Sequence, residues 1–342
     1  MKTKLKVALI GYGMAGQWFH MTQLNNHKNY EVKHVMTRSE KNIKILKETA
    51  PSAHVISSFD DAINDQDIDL IVIATSNDVH FEYTKKAILA KKHVVCEKPF
   101  VDTLEKAKYL FELAKENKVI LRVFHNRRFD GDILTIKDLI KTEDFGSIIS
   151  FAARFDRYNP ALSDNWRYQE NHMPGSYYDL APHLVFDALE LFGYPNQVFT
   201  QLFIDREGGL ADDRFQMILY YDSFECYLSS EVFERDPKPR FELVGTKKTY
   251  VKYGFDQPDS VNKQIDKSYQ ENQPKSLLIT SPQEQTHINV YTGRHYLFYD
   301  QLYIDIIHLR DSSDYEKLSL MVIEVMEKGL ISHQQKKIIS LK

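Results

Sequence analysis

Cysteine is scarce in this sequence, and only Cys96 and Cys226 occur among its 342 residues. Two cysteines so far apart exclude a disulfide framework and indicate a reducing compartment. Long hydrophobic runs are also missing, which argues against a bilayer-spanning helix. The apolar stretch near the start is short and runs straight into a glycine turn, so we expect no signal peptide there. The resulting expectation is a cytoplasmic protein.

An excess of charge of one sign is absent as well. The 44 basic and 48 acidic residues are mixed along the chain and leave a net charge of −4. No basic tail or patch indicates a nucleic-acid partner. The histidines show neither HExxH nor CxxC…H spacing, so the sequence predicts no protein-bound metal. Internal repeats are absent, and the length favours two domains.

Hydrophobic patterning predicts an α/β protein whose first third alternates strands and helices. Such alternation is typical of a doubly wound parallel sheet. From about residue 146, strand patterns follow one another and predict an α+β domain with a large, mostly antiparallel sheet. The predicted strands are 5–10, 31–36, 54–56, 68–74, 93–96, 119–124, 147–156, 197–204, 215–221, 224–232, 240–244 and 249–253. The predicted helices are 14–25, 40–49, 60–64, 79–90, 103–117, 182–192, 294–309 and 313–330.

Three glycines follow the first predicted strand and open a helix pattern. This order suits a dinucleotide, because the glycines permit a tight turn, close approach to a pyrophosphate and tight helix–strand packing. A purely structural turn is the alternative. The predicted cofactor-binding residues of this turn are Gly11, Tyr12, Gly13, Met14, Ala15 and Gly16. We therefore assign residues 1–122 to a Rossmann domain that binds NAD(P) and residues 123–342 to a second domain.

The end of the second predicted strand bears on the choice of dinucleotide. An acidic residue there would accept hydrogen bonds from the 2′-hydroxyl of NAD. The sequence instead has Thr37, Arg38 and Ser39, which we assign to cofactor binding. Because an arginine can clamp a 2′-phosphate, this segment favours NADP. The alternative is a solvated arginine in a site that also uses NAD.

Lys98 follows the fifth predicted strand within the sequence Glu97-Lys98-Pro99. Ligands of open parallel sheets bind at the carboxyl ends of the strands, so Lys98 is expected where a nicotinamide ring would lie. Its ammonium could stabilise negative charge that develops on a substrate oxygen. A surface lysine at a strand end is the alternative. Cys96 closes the same strand and is expected to be a small core residue.

Asp179 and His183 stand four residues apart near the start of a predicted helix in the second domain. On one helix face, the carboxylate would orient the imidazole and favour its protonated form. A histidine titrates near neutral pH, so His183 suits proton transfer to or from a substrate oxygen. The alternative is that Asp179 caps the helix and His183 is a core residue.

Together these motifs resemble the Gfo/Idh/MocA oxidoreductase family. The resemblance rests on the glycine turn, on Thr75-Ser76-Asn77 with His80, on Glu97-Lys98-Pro99 and on Asp179-x-x-x-His183. Segments 125–130, 178–183 and 250–254 resemble a narrower branch that includes NADP-dependent scyllo-inositol dehydrogenases. Two departures are Ser76, where the family has proline, and a glycine run that is reduced to Gly175.

The resemblance implies a catalytic group and a subunit interface. The implied catalytic residues are Lys98, Asp179 and His183. Further implied cofactor-binding residues are Thr75, Asn77, His80, Glu97, Lys98 and Asn126. Residues 123–342 would be a substrate-binding and oligomerisation domain, whose large sheet forms a homodimer or homotetramer.

A set of polar and aromatic residues on loops and element ends suits a polyhydroxylated substrate. The candidate substrate-binding residues are Lys98, Arg127, Trp166, Arg167, His172, Tyr178 and His183. Tyr158 and Tyr299 are weaker candidates, better explained as packing or solvated residues. We therefore predict an NADP-preferring dehydrogenase or reductase for the secondary alcohol or ketone of a sugar, inositol or related polyol. The alternatives are a glycosidase of the same fold that recycles its nicotinamide, and a non-catalytic regulator that senses NADP.

Overall fold

The computed structural model describes residues 4–162, 173–255, 276–309 and 313–341. The chain divides into two compact units, of which the first combines Met1–His125 with Tyr296–Leu320. Strands and helices alternate in its first segment. The strands are β1 (Leu5–Ile10), β2 (Tyr30–Met36), β3 (His54–Ile56), β4 (Leu70–Ile73), β5 (His93–Cys96) and β6 (Leu121–Val123). The helices are α1 (Thr22–Asn26), α2 (Glu40–Thr49), α3 (Phe59–Asn64), α4 (His80–Leu89) and α5 (Leu104–Asn117).

All six strands of the first unit pair in parallel, in the order β3-β2-β1-β4-β5-β6. The predicted doubly wound Rossmann sheet is therefore confirmed. Strands β1 and β4 are apolar and almost wholly buried, as expected for central strands covered on both faces. The strand order reverses direction between β1 and β4, and this reversal is where open α/β sheets bind ligands at the carboxyl edge.

Local capping explains where several of these helices begin. The hydroxyls of Ser39, Ser58 and Thr103 accept backbone N–H groups in the first turns of α2, α3 and α5. Each hydroxyl satisfies a donor that has no partner inside the helix. The helix after β1 is different, since it opens with a π-helical turn, Gly16–Met21, before α1. Wider turns of this kind are rare and occur often at functional sites.

The second unit comprises Asn126–His295 and Met321–Lys342. Its helices α6 (Gly131–Thr142) and α7 (Gly175–Phe192) accompany a sheet of nine strands. The strands are β7 (Ile148–Arg154), β8 (Gln197–Phe203), β9 (Arg214–Tyr220), β10 (Glu225–Ser230), β11 (Phe241–Gly245), β12 (Thr249–Lys252), β13 (Ser276–Ser281), β14 (Glu284–His287) and β15 (Ile339–Ser340). Their order is β14-β13-β12-β11-β7-β10-β9-β8-β15, and only β7 and β10 pair in parallel. The expectation of a mostly antiparallel sheet is confirmed.

The helices of the second unit differ from the sequence prediction. Helix α6 was not predicted. Helix α7 begins at Gly175, seven residues before the predicted start at residue 182. Pro182 lies inside α7, where it cannot donate a hydrogen bond to the preceding turn. The proline and the glycine at 175 obscured the helical pattern. Most residues of α7 are buried, because one face of the helix packs on β9 and β10.

Helix α8 (Leu297–His308) lies in the first unit although it follows strands β7 to β14 of the second unit's sheet in the sequence. Phe298 packs edge-on against Phe124, with ring centroids 4.7 Å apart, and Tyr299 is fully buried. The first turns of the last helix, α9 (Ser313–Gln335), belong to the first unit, and the rest of the helix belongs to the second. Among the described residues, no helix combines the length and hydrophobicity that a transmembrane span requires.

Candidate active site

Four loops follow the carboxyl ends of β1, β2, β4 and β5. Because parallel strands point the same way, these loops lie along one edge of the sheet. Most of the residues predicted to bind cofactor are on them. The loops contain Gly11 to Gly16, Thr37 to Ser39, Thr75 with Asn77, and Glu97 with Lys98, respectively. The sheet therefore gathers residues that are widely separated in sequence.

The glycine turn after β1 is built as a nucleotide turn requires. Gly11 has φ +100°, and a Cβ there would overlap the carbonyl of Ala74. A Cβ on Gly16 would overlap the carbonyl of Gly11, so the helix packs directly on the turn. At Gly13, by contrast, a Cβ would meet no atom within 4 Å. The two outer glycines are needed by the fold, whereas Gly13 leaves space open beside the backbone.

The loop after β2 carries no carboxylate at the strand end. Ser39 caps α2 through Asn42 N–H, and Thr37 is half-buried. Arg38 is exposed, and no carboxylate among the described residues pairs with it. A guanidinium in this position is available to an anionic ligand.

The loop after β4 holds two polar groups in buried positions. Asn77 is buried in a short 3₁₀ turn. The hydroxyl of Thr75 is buried and has no hydrogen-bond partner among the described residues. Buried polar atoms are nearly always paired in folded proteins, so this hydroxyl fits a ligand that supplies a partner. Together with the open space at Gly13, it shows that the carboxyl edge fits a dinucleotide.

His80 at the start of α4 is fully buried and joins two of the loops. Its Nδ1 lies 2.8 Å from the carbonyl oxygen of Pro99, and its Nε2 lies 3.3 Å from that of Thr75. Burial lowers the pKa of His80, so the ring is neutral and carries one N–H. The shorter distance favours the proton on Nδ1, which then donates to Pro99. His80 thus holds the segment that follows Lys98, a positioning role rather than an exposed contact.

The loop after β5 presents Lys98 half-buried at the sheet edge. The preceding Glu97 is buried, and one of its carboxylate oxygens accepts the backbone N–H of Lys98 at 3.1 Å. Its other oxygen lies 3.1 Å from Nε2 of His20, a residue that sequence reasoning missed. Cys96 is fully buried, and burial raises the pKa of its thiol above the ordinary value. The thiol therefore stays protonated, as a core residue does.

In the second unit, Asp179 and His183 both lie inside α7, one turn apart on one face. Since α7 begins at Gly175, the alternative that Asp179 caps the helix is wrong. His183 is buried, and its ring lies 6.3 Å from that of Phe155. One turn further on, the pKa of Asp187 is raised well above its ordinary value by burial. The carboxyl of Asp187 is thus buried one helical turn beyond His183.

The start of α7 depends on Asp212, which lies just before β9 and was also missed. One of its carboxylate oxygens accepts Tyr177 N–H at 2.7 Å, and its backbone oxygen accepts Ser176 N–H at 2.8 Å. Gly175 has φ +86°, and a Cβ there would overlap the Asp212 carboxylate. An acceptor from a distant loop thus replaces the usual capping residue. No local pattern in the sequence could have indicated it.

Asp212 predicts a pH-dependent stability. Burial, assisted by Asp213, raises the pKa of Asp212 to about 7. A raised pKa in the folded state means that stability is present at low pH and is lost as pH rises from about 4 to about 7. Over that pH range, we expect the free energy of unfolding to fall by roughly 2 kcal/mol less in Asp212→Asn than in the parent protein. This figure allows for partial solvent screening of the carboxyl group. Urea titrations at several pH values measure this difference.

The exposed Asp236 provides a matched control. Asp236→Asn should leave the pH dependence of unfolding unchanged. If Asp212→Asn and the parent protein follow the same pH curve, Asp212 is not the titrating group.

The remaining candidate residues lie apart from these four loops, and three of them lie outside the described residues. Asn126 is buried in a short turn, and Arg127 pairs with Asp130 at 2.9 Å. Tyr178 is half-buried, with its ring 5.6 Å from that of Tyr177. Trp166, Arg167 and His172 lie outside the described residues. Tyr158 is exposed beneath Arg235, and Tyr299 is buried in the first unit.

Two family models match the chain. The model of the oxidoreductase family with an NAD-binding Rossmann fold matches residues 5–125. The model of the GFO/IDH/MocA C-terminal domain matches residues 133–251. Together they cover more than half of the sequence. The chain belongs to the Gfo/Idh/MocA oxidoreductase family.

Individual Gfo/Idh/MocA relatives span most of the chain. The uncharacterised oxidoreductase YdgJ of Escherichia coli (strain K12) is 39% identical over 256 residues, 75% of this chain and 73% of the relative. The scyllo-inositol 2-dehydrogenase (NADP(+)) IolW of Bacillus subtilis (strain 168) is 34% identical over 253 residues, 74% of this chain and 70% of the relative. A solved structure of the oxidoreductase yvaA from Bacillus subtilis matches with a TM-score of 0.91 at 29% identity and covers 100% of both chains. The protein is thus an oxidoreductase of the dehydrogenase type with an NAD(P)-binding Rossmann domain.

Proposed function

We propose that this protein is an NADP-preferring dehydrogenase or reductase that interconverts a secondary alcohol and a ketone on a sugar, inositol or related polyol. The observation that carries the proposal is Arg38, exposed at the end of β2 where an NAD-selective site would have a carboxylate. The 34% identity to IolW, a dehydrogenase of an inositol, supports the substrate class. We place the reaction in the cytoplasm.

In the proposed chemistry, side chains of the protein transfer the proton and the cofactor exchanges the hydride. In the oxidative direction, His183 takes the proton of the substrate hydroxyl. Asp179, one turn earlier on α7, orients the imidazole and stabilises its charged form. Lys98 stabilises the negative charge that develops on the same oxygen. Hydride exchange at C4 of the nicotinamide is the chemistry that the cofactor supplies when bound.

The roles of Lys98 and His183 can also be exchanged within this scheme. Lys98 would then move the proton, and His183 would hold the substrate oxygen in place.

Arg38 predicts the cofactor preference directly. Replacing Arg38 by alanine removes a charge-assisted hydrogen bond to a 2′-phosphate, which is worth about 1.5–3 kcal/mol. We expect the Kd for NADP to rise about 10- to 100-fold and the Kd for NAD to stay within about twofold. Isothermal titration calorimetry with both nucleotides measures the change.

Lys41 is an exposed cation on the nearby helix α2 and serves as the control for Arg38. Lys41→Ala should leave both affinities unchanged. An equal loss of NADP and NAD affinity in Arg38→Ala would exclude a specific contact with the phosphate.

A substrate screen tests the proposed function as a whole. Polyols, inositols and keto-sugars are each combined with NADP(H) and NAD(H), and the nicotinamide absorbance is followed. We expect net conversion with at least one inositol or sugar, faster with NADP(H). Conversion of the substrate without net cofactor turnover would instead support a glycosidase. No change with any pair would support a regulator that only binds the nucleotide.

We also propose that the large sheet forms the subunit interface of a homodimer or homotetramer. Tyr227 on β10 is 43% exposed, and its register partners are Ala152 on β7 and Ile218 on β9. These three residues form part of an apolar row across the sheet, and such rows are typical of interfaces.

A further inference from the structure

A chain of hydrogen bonds runs behind Lys98 through three buried side chains. Nε2 of His20 lies 3.1 Å from one carboxylate oxygen of Glu97, and Nδ1 lies 2.6 Å from the hydroxyl of Tyr299. The other Glu97 oxygen accepts the backbone N–H of Lys98 at 3.1 Å. His20 is wholly buried. This chain of hydrogen bonds connects α8, the π-helical turn after the glycines, and the loop that carries Lys98.

The chemistry of the groups fixes the direction of these hydrogen bonds. As a carboxylate, Glu97 only accepts, so Nε2 of His20 donates to it. Burial raises the pKa of Tyr299 well above its ordinary value, and the hydroxyl keeps its proton. The tautomer of His20 that donates from Nε2 accepts at Nδ1, where the hydroxyl of Tyr299 donates. Each donor in the chain then has one acceptor.

Further contacts hold His20, in the middle of the chain, and Tyr299, at one end of it. The His20 ring lies against Phe124, with centroids 4.2 Å apart. The backbone oxygen of Tyr299 accepts the hydroxyl of Tyr30 at 2.8 Å. His20 therefore cannot turn without breaking two hydrogen bonds and disturbing an aromatic contact. Buried networks in which every member is satisfied hold side chains in one arrangement.

We propose that His20 is a positioning residue for Lys98. His20 contacts the carboxylate of Glu97 and so holds it where it accepts the backbone N–H of Lys98. The hydroxyl of Tyr299 fixes the tautomer of His20. The catalytic importance of this placement rests on the proposed function. The π-helical turn carries both Gly16, which packs on the glycine turn, and His20, so one short segment joins the nucleotide turn to the lysine loop.

Two substitutions of His20 each keep only one of its two hydrogen bonds, so they test the two ring nitrogens separately. Glutamine places an amide near the position of Nε2 and can still donate to Glu97. Asparagine places its amide near Nδ1, so it can still contact Tyr299 but loses Glu97. We expect His20→Asn to lower kcat about 10-fold. His20→Gln should stay within about threefold of the parent, and KM for the nucleotide should change little in both.

Thermal unfolding of the two variants provides the structural control, since both place a smaller polar group in the same buried position. Equal losses of kcat in His20→Asn and His20→Gln would overturn the proposal, because the ring would then act by packing alone. Tyr299→Phe tests the anchor, and we expect a smaller loss of kcat than in His20→Asn.

Hydrogen exchange of the Lys98 backbone amide tests the same placement without any substrate. We expect exchange at Lys98, measured by NMR, to be about 10-fold faster in His20→Asn and nearly unchanged in His20→Gln. Unchanged protection in His20→Asn would overturn the proposal. If Lys98 is not catalytic, its own replacement leaves turnover intact, and the exchange measurement still decides whether His20 holds the loop.

Discussion

Lys98→Met is expected to lower kcat by about 10²- to 10⁴-fold, with the Kd for NADP within about twofold of the parent. Methionine keeps the length of the side chain but removes the ammonium that stabilises the substrate oxygen. The backbone N–H of Lys98 still donates to Glu97, so the loop should keep its conformation. Steady-state kinetics with the best substrate from the screen, together with nucleotide titrations, measure both quantities.

The pH dependence of kcat in Lys98→Met and His183→Ala then assigns the proton-transfer role. The variant that removes the acid–base group should also remove the corresponding limb of the pH profile. Lys86, exposed on α4, is the matched control, and Lys86→Met should retain full activity. Activity within a few-fold of the parent in Lys98→Met would exclude the proposed role of the lysine.

Gly13→Ala is expected to weaken nucleotide binding at least about 100-fold while the free energy of unfolding changes by less than about 0.5 kcal/mol. An added Cβ at Gly13 meets no protein atom within 4 Å, so the fold tolerates it. The methyl group would occupy the space that a pyrophosphate needs beside the backbone. Calorimetric titration with NADP and urea unfolding give the two values.

Gly16→Ala is the informative comparison for Gly13→Ala. Its Cβ would overlap the carbonyl of Gly11, so we expect a loss of stability of about 1–3 kcal/mol in addition to weaker binding. Gly13→Ala should therefore weaken binding without a loss of stability, whereas Gly16→Ala should weaken binding and lower stability together. Normal NADP affinity in Gly13→Ala would show that the nucleotide does not lie on this turn.

Much of the fold follows from local patterns in the sequence. The parallel strands are short apolar runs between helical patterns, and each predicted strand of the first unit appears within two residues of its expected bounds. Asp179 and His183 share a helix face because their spacing matches one helical turn. Such features need only residues close to one another along the chain.

The features that escaped prediction depend on contacts between distant segments. Asp212 caps a helix that begins at Gly175, and Tyr299 reaches His20 from almost the other end of the sequence. A lone histidine on a helix and an aspartate in a loop carry no local signal of these roles.

The return of residues 296–320 to the nucleotide-binding unit has a consequence for protein engineering. A fragment that stops at His125 would lose the partners of His20 and Tyr30 and would leave Phe124 facing solvent. Transplanting the cofactor module to another enzyme therefore requires the late segment to be transferred with it. Recombination at the apparent junction alone would yield an incomplete module.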